Sequence, residues 1–202
     1  MNDFWNQRYS SEAFAYGEEP NSYLKEKISR LEVGRVLFPC DGEGRNGVFA
    51  AGQGFEVVSF DSSEKGKEKA LGLAKKKNVS LTYLLQSLEE TRFKDSEFDG
   101  LVLIYAHFPP HLREAYHRKM SSTLKKGGFL ILEGFHKKQI ENQKTYNSGG
   151  PGNPDMLFSK EELLSDFSDF EFLEFLETEV DLMEGEFHKG KAFVIRILGR
   201  KK

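Results

Sequence analysis

The stretch "VLFPCDGEGRNGVF", residues 36–49, sets Gly42, Gly44 and Gly47 at G-x-G-x-x-G spacing directly after a short apolar run. A strand that turns sharply into a helix needs glycine, because the backbone enters conformations closed to other residues and a ligand must approach without meeting a Cβ. The spacing is that of a dinucleotide-binding turn, where a pyrophosphate rests on the free amides of the helix N-terminus. Asp41 and Glu43 argue against that ligand: two carboxylates beside the anion's place repel it and favour a cationic ligand. The next apolar run ends in Asp61, nineteen positions after Gly42. A carboxylate there accepts hydrogen bonds from the ribose hydroxyls of an adenosine, whichever cofactor carries it. Turn and carboxylate together read as a site for an adenosine-containing ligand. The turn alone could equally be a tight connection that holds nothing.

Other residues offer acid–base chemistry. His107, in "YAHFPPH", falls at the carboxyl end of a strand, where open α/β sheets place ligands. It is the candidate general base, and its alternative role is to hydrogen-bond the Pro-initiated helix that follows. His136 and Tyr146 border the expected acceptor pocket, and Gly149, Gly150 and Gly152 are candidate hinges of the aperiodic stretch "KTYNSGGPGNPDM". His188, in a turn beside Glu184 and Glu186, is expected on the surface. An echo of the Asn-Pro-Pro-aromatic motif of amino-methylating nucleic-acid enzymes lacks its Asn and is rejected. Cys40 is the single cysteine, so no internal disulfide forms, and no Cys/His group has zinc spacing, so no metal is expected.

Alternating elements must position these groups. Apolar or β-branched runs at 34–39, 55–61, 81–85, 98–106 and 127–135 read as buried strands, with helices at 45–52, 63–77 and 110–126 between them. The last helix is expected to end at Gly127-Gly128. Such alternation predicts parallel βαβ units covered on both faces. A helix at 159–167 opens on a Ser159/Glu162 capping box. Runs at 171–183 and 191–200 then follow without a helix between them, so they pair antiparallel.

A chain of 202 residues is most economically one domain, 1–202, which disfavours a two-domain dehydrogenase. Charged residues make up 30% and the net charge is −3, so composition offers no footprint for nucleic acid. "MNDFWNQRYS" lacks the apolar core of a secretory signal and no run approaches a membrane span, so a cytoplasmic location is expected.

"VLFPCDGEGRN…GFEVVSFDSS" resembles the first two motifs of class I S-adenosylmethionine-dependent methyltransferases, and "EGRN" is similar to their tellurite-resistance and thiopurine branch. The likeness continues through "FWNQRY…YGEEPN", "LIYAHFPPHLR" and "LKKGGFLILEGF". Further, "GGPGNPDM" and "EGEFHKGKA" are similar to small bacterial methyltransferases of unassigned substrate. The resemblance implies an α/β, Rossmann-like, seven-stranded mostly parallel sheet with helices on both faces and a C-terminal antiparallel strand. It implies S-adenosylmethionine as cofactor, held by Asp41, Gly42, Glu43, Gly44, Asn46, Asp61, Ser62 and Tyr105, with the adenine near Gln86, Ser87 and Leu88. Residues 1–33 would form a helical lid over the methionine end, with Trp5 and Tyr16 near the sulfonium and Arg8 near the carboxylate. Residues 34–202 would be the sheet core, with an active-site loop at 136–158 carrying His136, Tyr146 and Gly149 toward a small-molecule acceptor. A monomer or weak dimer is expected. One departure matters: where the family has an acidic residue and then Gly in the first strand, this chain has Phe38, Pro39 and Cys40, with Asp41 displaced toward the turn. A non-catalytic adenosylmethionine-binding module, or methylation of protein, is the alternative.

Overall fold

A computed structural model of the chain describes residues 2–202. Strands β1 (Arg35–Pro39), β2 (Glu56–Asp61), β3 (Thr82–Leu85), β4 (Phe98–Ile104), β5 (Leu124–Phe135), β6 (Phe170–Glu184) and β7 (His188–Lys201) form one seven-stranded sheet. The order is β3-β2-β1-β4-β5-β7-β6, and β7 alone runs against its neighbours. The helices are α1 (Asn2–Arg8), α2 (Ser22–Lys27), α3 (Arg45–Gly52), α4 (Glu64–Lys76), α5 (Pro110–Ser122), α6 (Gln139–Tyr146) and α7 (Lys160–Asp166). No helix is long and apolar enough to cross a membrane among the described residues.

Alternate strand residues serve two apolar layers, which is why the central strands read as continuous apolar runs. Leu37, Leu101, Leu103, Leu130 and Leu132 face Met120 of α5 and Leu163 of α7. Val36, Phe38, Val102 and Ile131 face Tyr23 and Leu24 of α2 and Ala50 of α3. Each large side chain fully buried in these layers contributes about 1.5–3 kcal/mol. Phe38 is one of them, only 1% exposed. The residue that replaces the family's acidic position is therefore a core side chain.

Three local expectations change. The helix expected to reach residue 126 ends at Ser122, and β5 begins at Leu124. Leu124 is buried opposite Phe98, and the β4–β5 register shifts between Phe98 and Gly100. Burial of that leucine outweighs helix propensity, and Gly127, at φ 77°, lies inside the strand instead of ending a helix. The 136–158 loop contains a two-turn helix, α6, ended by Asn147 in the left-handed region at φ 52°. Finally, α2 belongs to the core, not to a lid, so the segment over the site is confined to the residues before Asn21.

Candidate active site

β1 ends at Pro39; Cys40 follows it at φ 54° without being glycine, and the chain then passes through Gly42 at φ 53° and Gly44 at φ 80° into α3. The three glycines have different reasons to be glycine. A Cβ on Gly44 would fall 2.4 Å from that of Ala70, and one on Gly47 2.4 Å from Ser59 Oγ, so these two let α3 pack on α4 and on β2. Gly42 alone faces the carboxyl edge of the sheet. There a Cβ would meet the Tyr9 hydroxyl at 2.6 Å.

Asp61, at the end of β2, accepts from the Gly42 amide at 3.1 Å and from the Ser63 amide at 2.9 Å. Burial raises its pKa above the usual carboxylate range, against the lowering effect of those amides. Ser62, between Asp61 and Ser63, is half-buried. Next to Asp61, the Gln86 amide donates to the Asp61 carbonyl at 3.0 Å. Gln86 Nε2 itself is buried with no hydrogen-bond partner among the described residues, a donor that requires an acceptor. Ser87 lies beside it, its amide donating to Glu90 at 2.7 Å. Leu88, by contrast, turns into the core and offers no side-chain surface to an adenine.

Asp41 and Glu43 do not line the turn as expected. The Asp41 carboxylate lies beneath α3, where its Oδ2 accepts from Ser59 Oγ at 2.8 Å and from the Gly47 amide at 3.2 Å. Burial pushes its pKa up to about 7. A helix N-terminus already occupied by a carboxyl is a poor seat for pyrophosphate, so the case against a dinucleotide stands on a different geometry. Glu43 turns to the N-terminal segment, accepting from the Ala15 amide at 2.9 Å and pairing with Lys69 at 2.6 Å. Asn46 accepts from the Asn21 amide at 2.9 Å. Both residues fasten the segment that covers the turn.

That segment crosses the carboxyl ends of the strands. Asn6 Oδ1 accepts from Ser63 Oγ at 2.8 Å, which ties α1 to the start of α4. Trp5 stacks on Tyr9 with centroids 5.6 Å apart, and Tyr9, not Trp5, touches the turn. Arg8 donates to the Tyr16 hydroxyl at 3.3 Å and lies 3.8 Å over the Phe187 ring, so its charge faces the β6–β7 turn. Tyr16 stands 6.5 Å from Tyr9 and 4.4 Å from His188, centroid to centroid.

Two expected chemical residues are committed elsewhere. His107 Nδ1 lies 2.8 Å from the Met156 carbonyl and its Nε2 accepts from the Phe135 amide at 2.9 Å. Both nitrogens are used, and burial lowers the pKa to about 4. The candidate base is instead a clamp between β5 and residues 154–158. His136 belongs to the opposite side of the sheet, with Nε2 3.0 Å from Glu177 and its ring against Phe193. Tyr146 is 46% exposed over Gly190. His107, His136 and Tyr146 therefore do not converge.

Other residues do converge at the carboxyl ends of β4 and β5. Tyr105, at φ 54°, donates to Glu133 Oε1 at 2.7 Å and stacks on Phe135 at 4.6 Å. Asn21 Nδ2 bridges Glu133 and Glu184 at 2.6 and 3.0 Å. Arg196 pairs with Glu133, and Arg45 pairs with Glu184 at 2.9 Å. His188 is not on the surface: it is 6% exposed and packs against Tyr16, Tyr105 and Phe135. Gly149 meets it, since a Cβ there would lie 2.5 Å from His188 Cδ2. Tyr9, Asn21, Glu133, Glu184 and His188 have no ligand-type spacing of their own, although all five fall within the stretches "FWNQRY…YGEEPN", "LKKGGFLILEGF" and "EGEFHKGKA". Glu184 and His188 also flank a three-residue turn between two strand-like runs.

The sheet order is that of a Rossmann-like fold, and residues 36–128 match the methyltransferase domain family. The structure of TehB from Haemophilus influenzae superposes with a TM-score of 0.72 at 19% identity, over 100% of this chain and 67% of that one. Magnesium protoporphyrin IX methyltransferase from Synechocystis PCC 6803, solved with bound SAH, gives 0.68 at 17% identity over 90% and 80%. A structure from work on converting a disulfide bond into a thioacetal group in echinomycin biosynthesis gives 0.78 at 14% identity over 100% and 92%. At these identities the likeness is one of fold. No curated protein matches the sequence. The residues present fit the cofactor on one structural ground in particular, the unpartnered Gln86 Nε2 beside Asp61.

Proposed function

We propose that the protein transfers the methyl group of S-adenosylmethionine to a small molecule, by in-line displacement, beneath the N-terminal segment. The observation that carries this reading is the unbroken aromatic series from Gly42 through Tyr9, Tyr16 and His188 to Tyr105 and Phe135. S-adenosylmethionine supplies a methyl already activated on a cationic sulfur. The protein's part is to bind, align and exclude water. Asp61 accepts from the ribose hydroxyls and Gln86 Nε2 donates to the adenine. Tyr9 and Tyr16 offer ring faces, which attract a cation. The acceptor sits at the β4–β5 end, near Tyr105 and Gly149.

A covered site suits a compact acceptor. Arg8, Arg45 and Arg196 are engaged by Tyr16 and Phe187, Glu184 and Glu133, so they present no basic groove to a polymer. Calorimetry with adenosylmethionine, adenosylhomocysteine and NAD in parallel tests the cofactor, and only the first two are expected to bind. Labelled methyl transfer to small thiols, amines, phenols and oxyanions, alongside protein extract and RNA, tests the acceptor. Incorporation into macromolecules alone would overturn the small-molecule reading.

A further inference from the structure

The β6–β7 turn brings together a carboxylate and an imidazole whose partners fix their chemistry. Glu184 and His188 face each other in the ladder across residues 185–187. His188 Nδ1 lies 3.3 Å from Glu184 Oε2, with side chains 7% and 11% exposed. Burial favours protonated Glu184, yet the His188 hydrogen bond and the Arg45 charge outweigh it and hold the pKa at about 2. A carboxylate only accepts, so Nδ1 carries the proton and Nε2 keeps its lone pair. Among the described residues, no protein group bonds Nε2. Its side of the ring faces the Gly149 backbone, where a Cβ would come within 3.2 Å of Nε2. Burial also lowers the His188 pKa, with Arg45 and Arg8 acting in the same sense and Glu184 opposing. The imidazole is thus neutral near pH 7. The other titratable groups facing it are the phenols of Tyr16 and Tyr105, the latter bonded to Glu133.

We infer that His188, oriented by Glu184, is the base of the transfer proposed above, and that the acceptor is a neutral molecule bearing a hydroxyl group. The inference rests on that methyl-transfer reading. An anionic nucleophile such as a thiolate needs no base and gains from a free cation, whereas Arg45 and Arg196 here are paired with Glu184 and Glu133. A hydroxyl is a weak nucleophile until its proton is taken. As its oxygen bonds to the methyl carbon, the carbon–sulfur pair returns to sulfur and the hydroxyl proton passes to Nε2. The positive charge moves from sulfonium to imidazolium, where Glu184 offsets it.

The test uses ring-nitrogen NMR of the protein with adenosylhomocysteine, together with methyl transfer to a panel of phenols, catechols and aliphatic alcohols set against thiols and amines. His188 should show the Nδ1-protonated neutral tautomer at pH 7, and Glu184→Gln should weaken that bias. Hydroxyl compounds should be methylated, with a rate that falls as His188 protonates at low pH. His188→Gln should reduce the rate roughly 10²–10⁴-fold and abolish that limb while leaving calorimetric affinity for adenosylhomocysteine unchanged. An Nε2-protonated or charged His188 at pH 7, a panel with no methylated hydroxyl, or an undiminished rate in His188→Gln would each overturn the inference. Loss of adenosylhomocysteine binding by the unaltered protein would instead overturn the methyl-transfer reading beneath it.

Discussion

Tyr9 stands on Gly42: a Cβ at that glycine would lie 2.6 Å from the phenol oxygen and 3.1 Å from the ring carbon bearing it. The same turn is held from below by Tyr83, whose hydroxyl donates to the Gly42 carbonyl. The glycine turn is therefore gripped between a strand residue and a residue of the N-terminal segment, and any ligand on the turn must meet that segment.

Hydrogen exchange reads this directly. Amides across residues 3–17 are expected to exchange more slowly once adenosylmethionine or adenosylhomocysteine is added, because a ligand beneath the segment opposes its opening. Equal rates with and without ligand would show that the segment is a fixed part of the fold.

Replacing Asp61 by alanine removes the acceptor proposed for the ribose hydroxyls and frees the Gly42 and Ser63 amides. Calorimetry should register a loss of about 1–3 kcal/mol in adenosylmethionine binding, the scale of hydrogen bonds to a charged acceptor. Unaltered affinity would place the ribose elsewhere.

His107→Ala is expected to act on stability. The change strands the Phe135 amide and the Met156 carbonyl, at a cost of about 1–3 kcal/mol in denaturant unfolding. Transfer per folded molecule should keep the pH profile of the unaltered protein. Loss of that profile would restore His107 as the base.

Asp41 makes stability depend on pH. Its folded pKa, about 7, lies above the ordinary value of 3.8, so the native state binds the proton more tightly than the unfolded chain. The resulting stability is fully present below about pH 4 and is lost as pH rises through 7, a change on the order of 4 kcal/mol at most. Asp41→Asn keeps an oxygen for Ser59 and Gly47 while removing the titration. Its melting temperature should exceed that of the parent by a margin that widens from pH 5 to pH 8, and a constant margin would contradict the assignment.

Much of the architecture is legible in the sequence because its signals are local. Apolar runs of strand length alternate with capped helices, and the absence of a helix between 171–183 and 191–200 leaves antiparallel pairing as the simple solution. The positions of Gly42 and Asp61 are legible for the same reason, one in the turn after a strand and the other at a strand's end. The acid–base chemistry is not. His107 and His188 both sit where a strand meets a turn, and what separates them is which atoms their nitrogens meet: two backbone groups for one, a paired carboxylate for the other. Those partners lie far off in the chain or across a hairpin, and only the packing of β5, β7 and the N-terminal segment brings them within reach. Asp41 and Glu43 make the same point, since their spacing placed them at the turn while their rotamers, chosen by Ser59 and by Ala15 with Lys69, carry the charges away from it.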